Sequence, residues 1–486
     1  MQPSKTSVIL SAAERAKQSS AQSKDPYPRR ALVRRIKAFS STAIALLVLL
    51  FVATAAAQDH PVALKGARLL TITHGTIENG TVIMQAGKIT AVGANISIPT
   101  NAQTIDATGM TIYPGLIDSE TQLGLTEISN EATTNDLVEP SDEIMPHMHV
   151  YDAFHAESAL IPVARLNGIT NAIVAPDSLD TLPGQDSFIQ LAGRDATEML
   201  LIRDIAMPLN FTGDQRRNKG GFDKRKFPST RMGLIAQMRQ AFLDAKDYEA
   251  KWTDYERKKS EAASPADDQS KSPEKTKDKT KDKPKAAPMA PKRDLKLEAL
   301  IPYLDGKKTI VLAAENPSDL ETIVNFANEF HLKYVLNHIS HSQPVLDYVA
   351  SLKVPVIVGP IYEAPKDDER YDAVYSLPAQ LYKRGVKIAL ASYSAHNVRN
   401  LPDAAGFATA FGLPYDEAMK AITLNPAEIW GVADKFGSLD VGKTANVVVA
   451  NGDPLDMKTD VKQVYIEGKA IPMTSRQTRL RDEYSK

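Results

Sequence analysis

The sequence predicts an α/β protein in which a (β/α)8 barrel of the TIM type is inserted in a small β-sandwich built from both chain ends. Three observations lead to this prediction: alternating strand patterns near the two ends of the 486-residue chain, a series of short apolar strands between them, and amphipathic segments separating those strands. An apolar fraction of 43% suffices for a large core, and a net charge of −1 gives no overall field that would favour nucleic acid.

The first 57 residues have the order of a secretory signal. A basic segment, Arg29–Lys37, precedes an apolar run, Ala43–Val52, and three alanines end at Ala57 before Gln58. An uncleaved anchor is the alternative, because residues 38–57 approach the ~20 residues that span a bilayer. We expect residues 1–57 to be a signal peptide and the protein to be periplasmic or secreted, with membrane contact only if this segment stays uncleaved.

The segments on either side of the barrel show the two-residue period of β-strands. From Val62 to Met110, the stretches VALKGARLL, TVIMQAGKITAVG and ISIPTNAQTIDATG alternate between bounding Gly, Asn or Pro residues. SLDVGKTANVVVANGDPL and VKQVYIEGKAI continue this pattern from Ser438 to Ile471. Residues 58–111 and 432–486 are therefore predicted to form one composite β-sandwich.

Residues 112–431 are predicted to form the barrel. Amphipathic segments such as Asp319–Phe330 separate many of the apolar strands. Barrels of this kind carry their chemistry at the C-terminal ends of their strands. The eight predicted strands are Ile112–Ile117, Thr170–Ala175, Ser187–Leu191, Ile205–Asn210, Thr309–Ala313, Tyr334–Asn337, Val354–Gly359 and Lys387–Ala391.

One segment does not fit the barrel pattern. Residues 257–293 are rich in Lys, Asp, Ser and Pro and carry too little apolar surface to form a core, so we predict a disordered charged insertion. Just before it, Leu234–Lys259 has the pattern of a helix that extends from the barrel. The absence of cysteine excludes disulfides and zinc sites built on thiolates.

Several motifs together resemble one family. They are YPGLID at Tyr113–Asp118, NGIT at Asn167–Thr170, AITLNPAEIWGV, and GSLDVGKTANVVV. This combination is similar to the amidohydrolase superfamily, in its imidazolonepropionase-like group. The resemblance implies a hydrolase that acts on non-peptide C–N bonds, such as those of cyclic amides, and a divalent metal, zinc or iron, in the barrel.

The residues at the implied metal-ligand positions are largely replaced. The resemblance implies two His after the first strand, where this chain has Glu120 and Gln122, and an Asp after the eighth, where it has Tyr393. Of the implied ligands, His338 after the sixth strand is retained. A catalytic zinc normally needs three protein donors, mostly imidazoles. We therefore predict that the protein uses no metal cofactor.

Other histidines leave an alternative open. His147 and His149 form a His-x-His pair with His155 nearby, which is compatible with a relocated metal site or with solvated loop residues. His341 and His396 follow strand ends, and we expect both to line the pocket.

The remaining polar groups define the predicted site. Glu315 and His338 can serve as general acid and base, or can satisfy one another at the barrel rim. Glu120, Gln122 and Tyr393 are expected in the pocket wall, with the phenol as a donor to a developing oxyanion. The predicted function is an exported, metal-free hydrolase of small molecules. The alternative is a non-catalytic protein of the cell envelope that binds a ligand or partner.

Overall fold

The structure is a computed structural model that describes residues 60–211, 227–228, 230–263, 288–314, 316–366 and 368–485. All of them belong to one unit of the chain, residues 60–486. The predicted signal peptide and Glu315 lie outside the described residues. Within the described ranges, no helix combines the length and the apolar character needed to cross a membrane.

Strands from both chain ends form one eight-stranded sheet. Its hydrogen-bonded order is β16-β15-β14-β5-β1-β2-β3, with β4 beside β1. Strands of the two chain ends pair directly in the antiparallel ladder of β5 and β14, in which Val448 lies opposite Tyr113. These strands are β1 (Val62–Leu70), β2 (Thr76–Gln85), β3 (Lys88–Gly93), β4 (Gln103–Asp106), β5 (Thr111–Pro114), β14 (Val447–Ala450), β15 (Val461–Ile466) and β16 (Lys469–Ala470). The strands at the two ends of the chain therefore form one composite sheet, and its pairing with a second layer as a sandwich stays a prediction.

The second sheet is the barrel. It runs in the order β13-β12-β11-β10-β9-β8-β7-β6. Its two ends meet where the backbone N–H of Tyr393 donates to the carbonyl of Glu120 at 3.0 Å, so that the barrel is nearly closed. The strands are β6 (Leu116–Thr121), β7 (Ile169–Val174), β8 (Asp186–Gln190), β9 (Leu200–Asn210), β10 (Thr309–Ala313), β11 (Tyr334–Asn337), β12 (Val356–Val358) and β13 (Ile388–Leu390).

The first predicted strand is divided between the two sheets. The sequence places one strand at Ile112–Ile117, whereas β5 ends at Pro114 in the composite sheet and β6 begins at Leu116 in the barrel. Gly115 makes the crossing, where a Cβ atom would lie 2.1 Å from Oγ1 of Thr170. Only glycine permits so close an approach to β7.

One strand departs from the predicted (β/α)8 pattern. β8 runs antiparallel to both β7 and β9, while the other neighbouring strands of the barrel are parallel. The connection from Val174 to Asp186 contains no helix. A parallel return needs a crossover of a dozen or more residues, usually a helix, so this short connection enforces the antiparallel direction.

Apolar side chains fill the barrel interior. Ile117, Phe188, Val311 and Ile357 lie in one buried cluster with Trp430, and all are less than a tenth exposed. A larger core lies between the sheets and the helices. The helices are α1 (Val150–Ala153), α2 (Leu160–Leu166), α3 (Ala196–Met199), α4 (Arg231–Ala263), α5 (Leu295–Leu304), α6 (Pro317–Glu329), α7 (Leu346–Ser351), α8 (Ala373–Lys383), α9 (Leu401–Ala410), α10 (Tyr415–Ala421), α11 (Leu424–Ile429) and α12 (Arg476–Tyr484).

The long helix α4 extends beyond its predicted bounds. Sequence analysis predicts a helix at Leu234–Lys259 and disorder over residues 257–293, but α4 continues to Ala263. Residues 257–263 are therefore helical, supported by ion pairs of Arg257 with Asp254 and Glu261. Residues 264–287 lie outside the described residues.

Candidate active site

A cavity of about 430 Å³ opens at the C-terminal ends of the barrel strands. The predicted residues Glu120, Gln122, His338, His341 and Tyr393 line it. His396 is not among the residues that line this cavity; it is exposed and precedes the 3-10 turn Asn397–Asn400 without a side-chain capping bond. The rest of the wall consists of Thr121, Ala175, Pro176, Asp177, Ser178, Ser340, Pro360, Glu363 and Lys366.

The strand ends present these side chains through unusual backbone conformations. His338 directly follows β11 with a φ of 53°, and Tyr393 follows β13 with a φ of 51°. Both values lie in the left-handed region, which costs a non-glycine residue roughly 1–3 kcal/mol and persists only where surrounding contacts impose it. The change of direction interrupts the alternation of the strand at the floor of the cavity.

Asn337 is the centre of a side-chain network that the sequence analysis did not identify. Its amide nitrogen donates to Oε2 of Glu120, and its amide oxygen accepts from the hydroxyl of Tyr393. The same oxygen accepts from the backbone N–H of His338 at 2.8 Å. Asn337 is 1% exposed, so these bonds are shielded from water. One amide therefore fixes residues from three strand ends.

The other oxygen of Glu120 faces an imidazole. Nε2 of His338 lies 3.6 Å from Oε1 of Glu120. The imidazole ring also packs on the ring of Tyr393, with centroids 4.5 Å apart. Glu120 and His338 thus form a carboxylate–imidazole pair in the cavity wall, the arrangement that general acid–base chemistry requires.

The predicted role of Tyr393 as an oxyanion donor is not supported by this geometry. Its hydroxyl donates to the amide oxygen of Asn337, and the carbonyl of Ile357 lies 3.4 Å away. A phenol has one hydrogen to donate. Burial raises the pKa of Tyr393 well above its usual value, with Glu120 and Asp118 adding to the shift, so the hydroxyl keeps its proton at neutral pH.

Asp118 lies behind the cavity floor at the closure of the barrel. Its Oδ1 accepts from the backbone N–H of Ser392 at 3.0 Å and from that of Glu120 at 3.3 Å. The side chain is fully buried, and burial raises its pKa to about 7, with the charge of Glu120 contributing. This carboxyl therefore joins the first and eighth strands.

A second buried carboxyl belongs to Asp186 on the antiparallel strand β8. It is 1% exposed, and neither oxygen has a hydrogen-bond partner among the described residues. Burial raises its pKa well above the usual range, and the charge of Glu120 raises it further. Burial thus favours the protonated form of both Asp186 and Asp118, and Glu120 is the acidic side chain of this group that lines the cavity.

The mouth of the cavity carries a second histidine. Nδ1 of His341 lies 2.8 Å from Glu369, and its Nε2 lies 3.8 Å from Glu363. Lys366 is exposed at the same rim, and its Nζ donates to Asn316 at 3.3 Å. His341 is therefore held in the wall by acidic residues of the loop that follows β12.

The donor set does not fit the metal that the family resemblance implies. At the implied positions, Gln122 and Tyr393 offer an amide and a protonated phenol, and the carboxylate of Glu120 already accepts from Asn337. In the part of the chain that the structure describes, no three His, Asp or Glu side chains converge as a metal ion would need.

The alternative set of histidines, His147, His149 and His155, does not converge on one point either; His149 and His155 bond different carboxylates. His149 bonds Asp204 at 2.6 Å, and Asp204 lies 3.6 Å from Nζ of Lys308. His155 bonds a different carboxylate, Asp136, at 2.9 Å. The described geometry brings no convergent set around His147, whose pKa is lowered mainly by burial.

The chain is similar to known amidohydrolases over most of its length. Residues 333–471 match the profile of the amidohydrolase family. Amidohydrolase tasK of Hapsidospora irregularis is 25% identical over 414 residues, which cover 80% of this chain and 40% of that protein. A solved amidohydrolase from Thermotoga maritima MSB8 is 28% identical with a TM-score of 0.74, over 85% of this chain and 100% of that one. A solved molinate hydrolase has a TM-score of 0.52 at 16% identity, over 86% and 95% of the two chains.

These findings show what the chain is similar to. Residues 333–471 are similar to the amidohydrolase family, and a solved structure that covers most of the chain at 28% identity is an amidohydrolase. At 16% identity the molinate hydrolase shows the fold alone. The chain spans 40% of the length of this curated relative. Membership of the imidazolonepropionase-like group stays a prediction.

Proposed function

We propose that the protein hydrolyses a non-peptide C–N bond of a small molecule and does so without a transition metal. The observation that carries the proposal is the pairing of Glu120 with His338 at 3.6 Å in the wall of the 430 Å³ cavity. The amidohydrolase-family domain supports the reaction class. The imidazolonepropionase-like motifs favour cyclic amides or related small molecules as substrates.

The two side chains divide the proton transfers between them. Glu120 accepts a proton from a water molecule while the oxygen of that water molecule bonds to the amide carbon. A protonated His338 donates to the departing nitrogen as the C–N bond breaks. The products are a carboxylic acid and an amine, and proton exchange between the pair or with solvent restores the starting state.

Positioning comes from the surrounding network. Because Asn337 holds Oε2 of Glu120, the other oxygen is left to face His338 and the cavity. Asp118 fixes the backbone of Glu120 from behind. Glu315, which is predicted from sequence as the partner of His338, stays a candidate for a second carboxylate at the same strand ends.

The decisive experiment combines metal removal with substitution. The protein is dialysed against chelator and tested on a panel of cyclic and linear small amides. We expect activity to survive chelation, and Glu120→Gln and His338→Gln each to reduce kcat at least about 100-fold, the lower end of general acid–base contributions. His396→Gln is the matched control because that imidazole is exposed and outside the cavity.

Two results would contradict the proposal. Activity that chelation abolishes and added zinc restores would indicate a metallohydrolase. A ligand that binds in the cavity without any turnover across the panel would instead support the non-catalytic alternative. Export to the periplasm or medium, predicted from residues 1–57, belongs to the same proposal because it would give the enzyme access to extracytoplasmic substrates.

A further inference from the structure

The ionisable groups of the cavity are unevenly distributed. Three carboxylate residues line it, Glu120, Asp177 and Glu363, against one amine, that of Lys366, among the described lining residues. The amine stands at the exposed mouth, where it bonds Asn316. Glu120 lies at the floor, whereas the rim carries Glu363 together with Lys366. Its apolar wall consists of small residues and prolines, namely Ala175, Pro176 and Pro360.

Among the described residues, the floor carries no lysine or arginine. Glu120 is 9% exposed, and the ion pair that the described residues provide for it is the one with His338 at 3.6 Å. No Lys or Arg of the described chain lies within ion-pair distance of this carboxylate. A carboxylate with so little solvent exposure loses hydration, and a positively charged group of a bound ligand would stabilise it.

A second, independent observation is the buried pair of carboxyls near the floor. Asp186 is 1% exposed with neither oxygen partnered among the described residues, and one oxygen of fully buried Asp118 is likewise without a partner. Buried polar atoms are normally hydrogen-bonded, and these acids, which lie behind the cavity wall, receive no bond from a lysine or arginine of the described residues. The negative charge of Glu120 contributes to the raised pKa of both carboxyl groups.

A metal ion is a poor fit to this charge. A divalent metal needs several donors at one point, and no three acidic or imidazole side chains converge in the described residues. An ammonium or guanidinium group needs only one or two acceptors at hydrogen-bond distance, and the rest of its molecule can lie against the polar wall.

We propose that the cavity takes a small organic cation, a molecule bearing an ammonium or guanidinium group that pairs with Glu120. The inference rests on the proposed function for the reaction, since it names the substrate class of the same site. The carboxylate then has two roles: it attracts the cationic group of the incoming molecule and faces His338 across the cavity floor.

The test uses two probes of nearly equal shape and different charge. N-acetylargininamide carries a guanidinium group, and N-acetylcitrullinamide replaces it with a neutral urea. We expect titration calorimetry at low salt to give at least a tenfold tighter Kd for the arginine compound, with the difference shrinking as salt rises. N-acetyllysinamide should share the preference, because its ammonium supplies the same charge.

The matched variants are Glu120→Gln and Glu321→Gln. The first should remove the preference for charged probes, and the second should leave it intact because Glu321 is exposed on the outer helix α6. If Glu120→Gln does not fold, the comparison of the probes on the wild-type protein and its salt dependence still decides the matter.

Each outcome separates the inference from the proposed reaction. Equal affinity for charged and neutral probes, binding of neither kind, or stoichiometric binding of Zn²⁺ or Mn²⁺ that Glu120→Gln removes would overturn the inference. Binding of the cationic probes together with no turnover of any amide in the panel would preserve the inference and contradict the hydrolase. Hydrolysis that favours the neutral probe would preserve the hydrolase and overturn the inference.

Discussion

At the scale of single residues, Asn337 fixes the candidate site more than any ionisable group does. Its side chain forms hydrogen bonds with Glu120 and Tyr393 and also accepts one from the backbone N–H of His338. Groups in one hydrogen-bond network show coupled energies, whereas distant groups are additive. The network therefore makes a quantitative prediction that does not depend on knowing the substrate.

We expect Asn337→Ala and Tyr393→Phe to be coupled by about 1 kcal/mol in a double-mutant cycle on unfolding free energy, because each removes the same buried hydrogen bond. Urea unfolding of the single and double variants measures this coupling. Tyr371→Phe is the control, since Tyr371 is 73% exposed, and its cycle with Asn337→Ala should be additive. Additivity in both cycles would show that the Tyr393 bond contributes nothing to stability.

Asp118 gives a pH-dependent prediction. Burial raises its pKa from 3.8 to about 7, so the folded protein holds this proton more tightly than the unfolded chain does. The resulting stabilisation is complete below about pH 4 and is lost as pH rises toward 7. Asp118→Asn places a neutral amide at this position. The variant should therefore lose less unfolding free energy than the wild type as pH rises. The difference in unfolding free energy, variant minus wild type, should be larger at pH 8 than at pH 4.5 by a few kcal/mol.

Comparison between two pH values cancels the constant cost of placing an amide at this site. Asp416→Asn is the control, because Asp416 is exposed on α10. It should shift stability by the same small amount at both pH values. A difference for Asp118→Asn that stays constant from pH 4.5 to pH 8 would mean that Asp118 does not carry an elevated pKa.

At the scale of elements, sequence periodicity predicted the positions of the strands better than their directions. Each of the eight predicted barrel strands has a counterpart in the structure, yet β8 is antiparallel and the first strand is split at Gly115. Period-two alternation reports burial on two faces and carries no direction. The available signal was the stretch 175–185, which is too short and too rich in turn residues for a crossover helix.

The same limit explains which site residues the sequence revealed. Glu120 and His338 stand at motif positions and do line the cavity. Asn337, Asp118 and Asp186 were missed because they are buried polar residues of strands, whose roles depend on partners far along the chain. The distance in sequence from Asn337 to Glu120 is 217 residues. His338 has a left-handed backbone conformation, which interrupts the strand alternation. The side of the strand on which its side chain lies therefore does not follow from the two-residue period.

Helix α4 offers a prediction at the element scale. Its buried stripe repeats at Leu234, Met238 and Phe242, and the Phe242 ring contacts the rings of Phe326 and Phe330, at centroid distances of 5.4 and 5.3 Å. Phe242→Ala should therefore reduce the unfolding free energy by about 3–5 kcal/mol. Leu243→Ala, at a side chain 45% exposed, is the neighbouring control and should cost less than Phe242→Ala by several-fold. Equal effects in denaturant titration would show that α4 does not dock on α6 in solution.

At the scale of the whole molecule, the sequence indicated the joining of the two chain ends because both carry the same strand pattern. The structure pairs β5 with β14 in one sheet, so the barrel is held between segments more than 300 residues apart. The chain passes from the composite sheet into the barrel at Gly115, and the side chain of Asn446 bonds Asn171 of β7 at 2.8 Å. A composite sheet of this kind makes folding of the two ends interdependent, since neither end holds all of its strands.

The charged segment between α4 and α5 can be tested against this architecture. Tyr248 on α4 bonds Glu298 on α5 at 2.6 Å, and Arg293 bonds the same carboxylate, so the two helices are tied together by contacts of their own. The composition of residues 264–287 supplies few apolar groups to a core, and the closure entropy of a loop grows slowly with its length. Replacing residues 264–287 by a Gly/Ser linker of about twelve residues should leave Tm nearly unchanged in calorimetry. A fall of more than about 5 °C, which corresponds to about 2 kcal/mol or more for a chain of this size, would show that the segment packs on the folded protein.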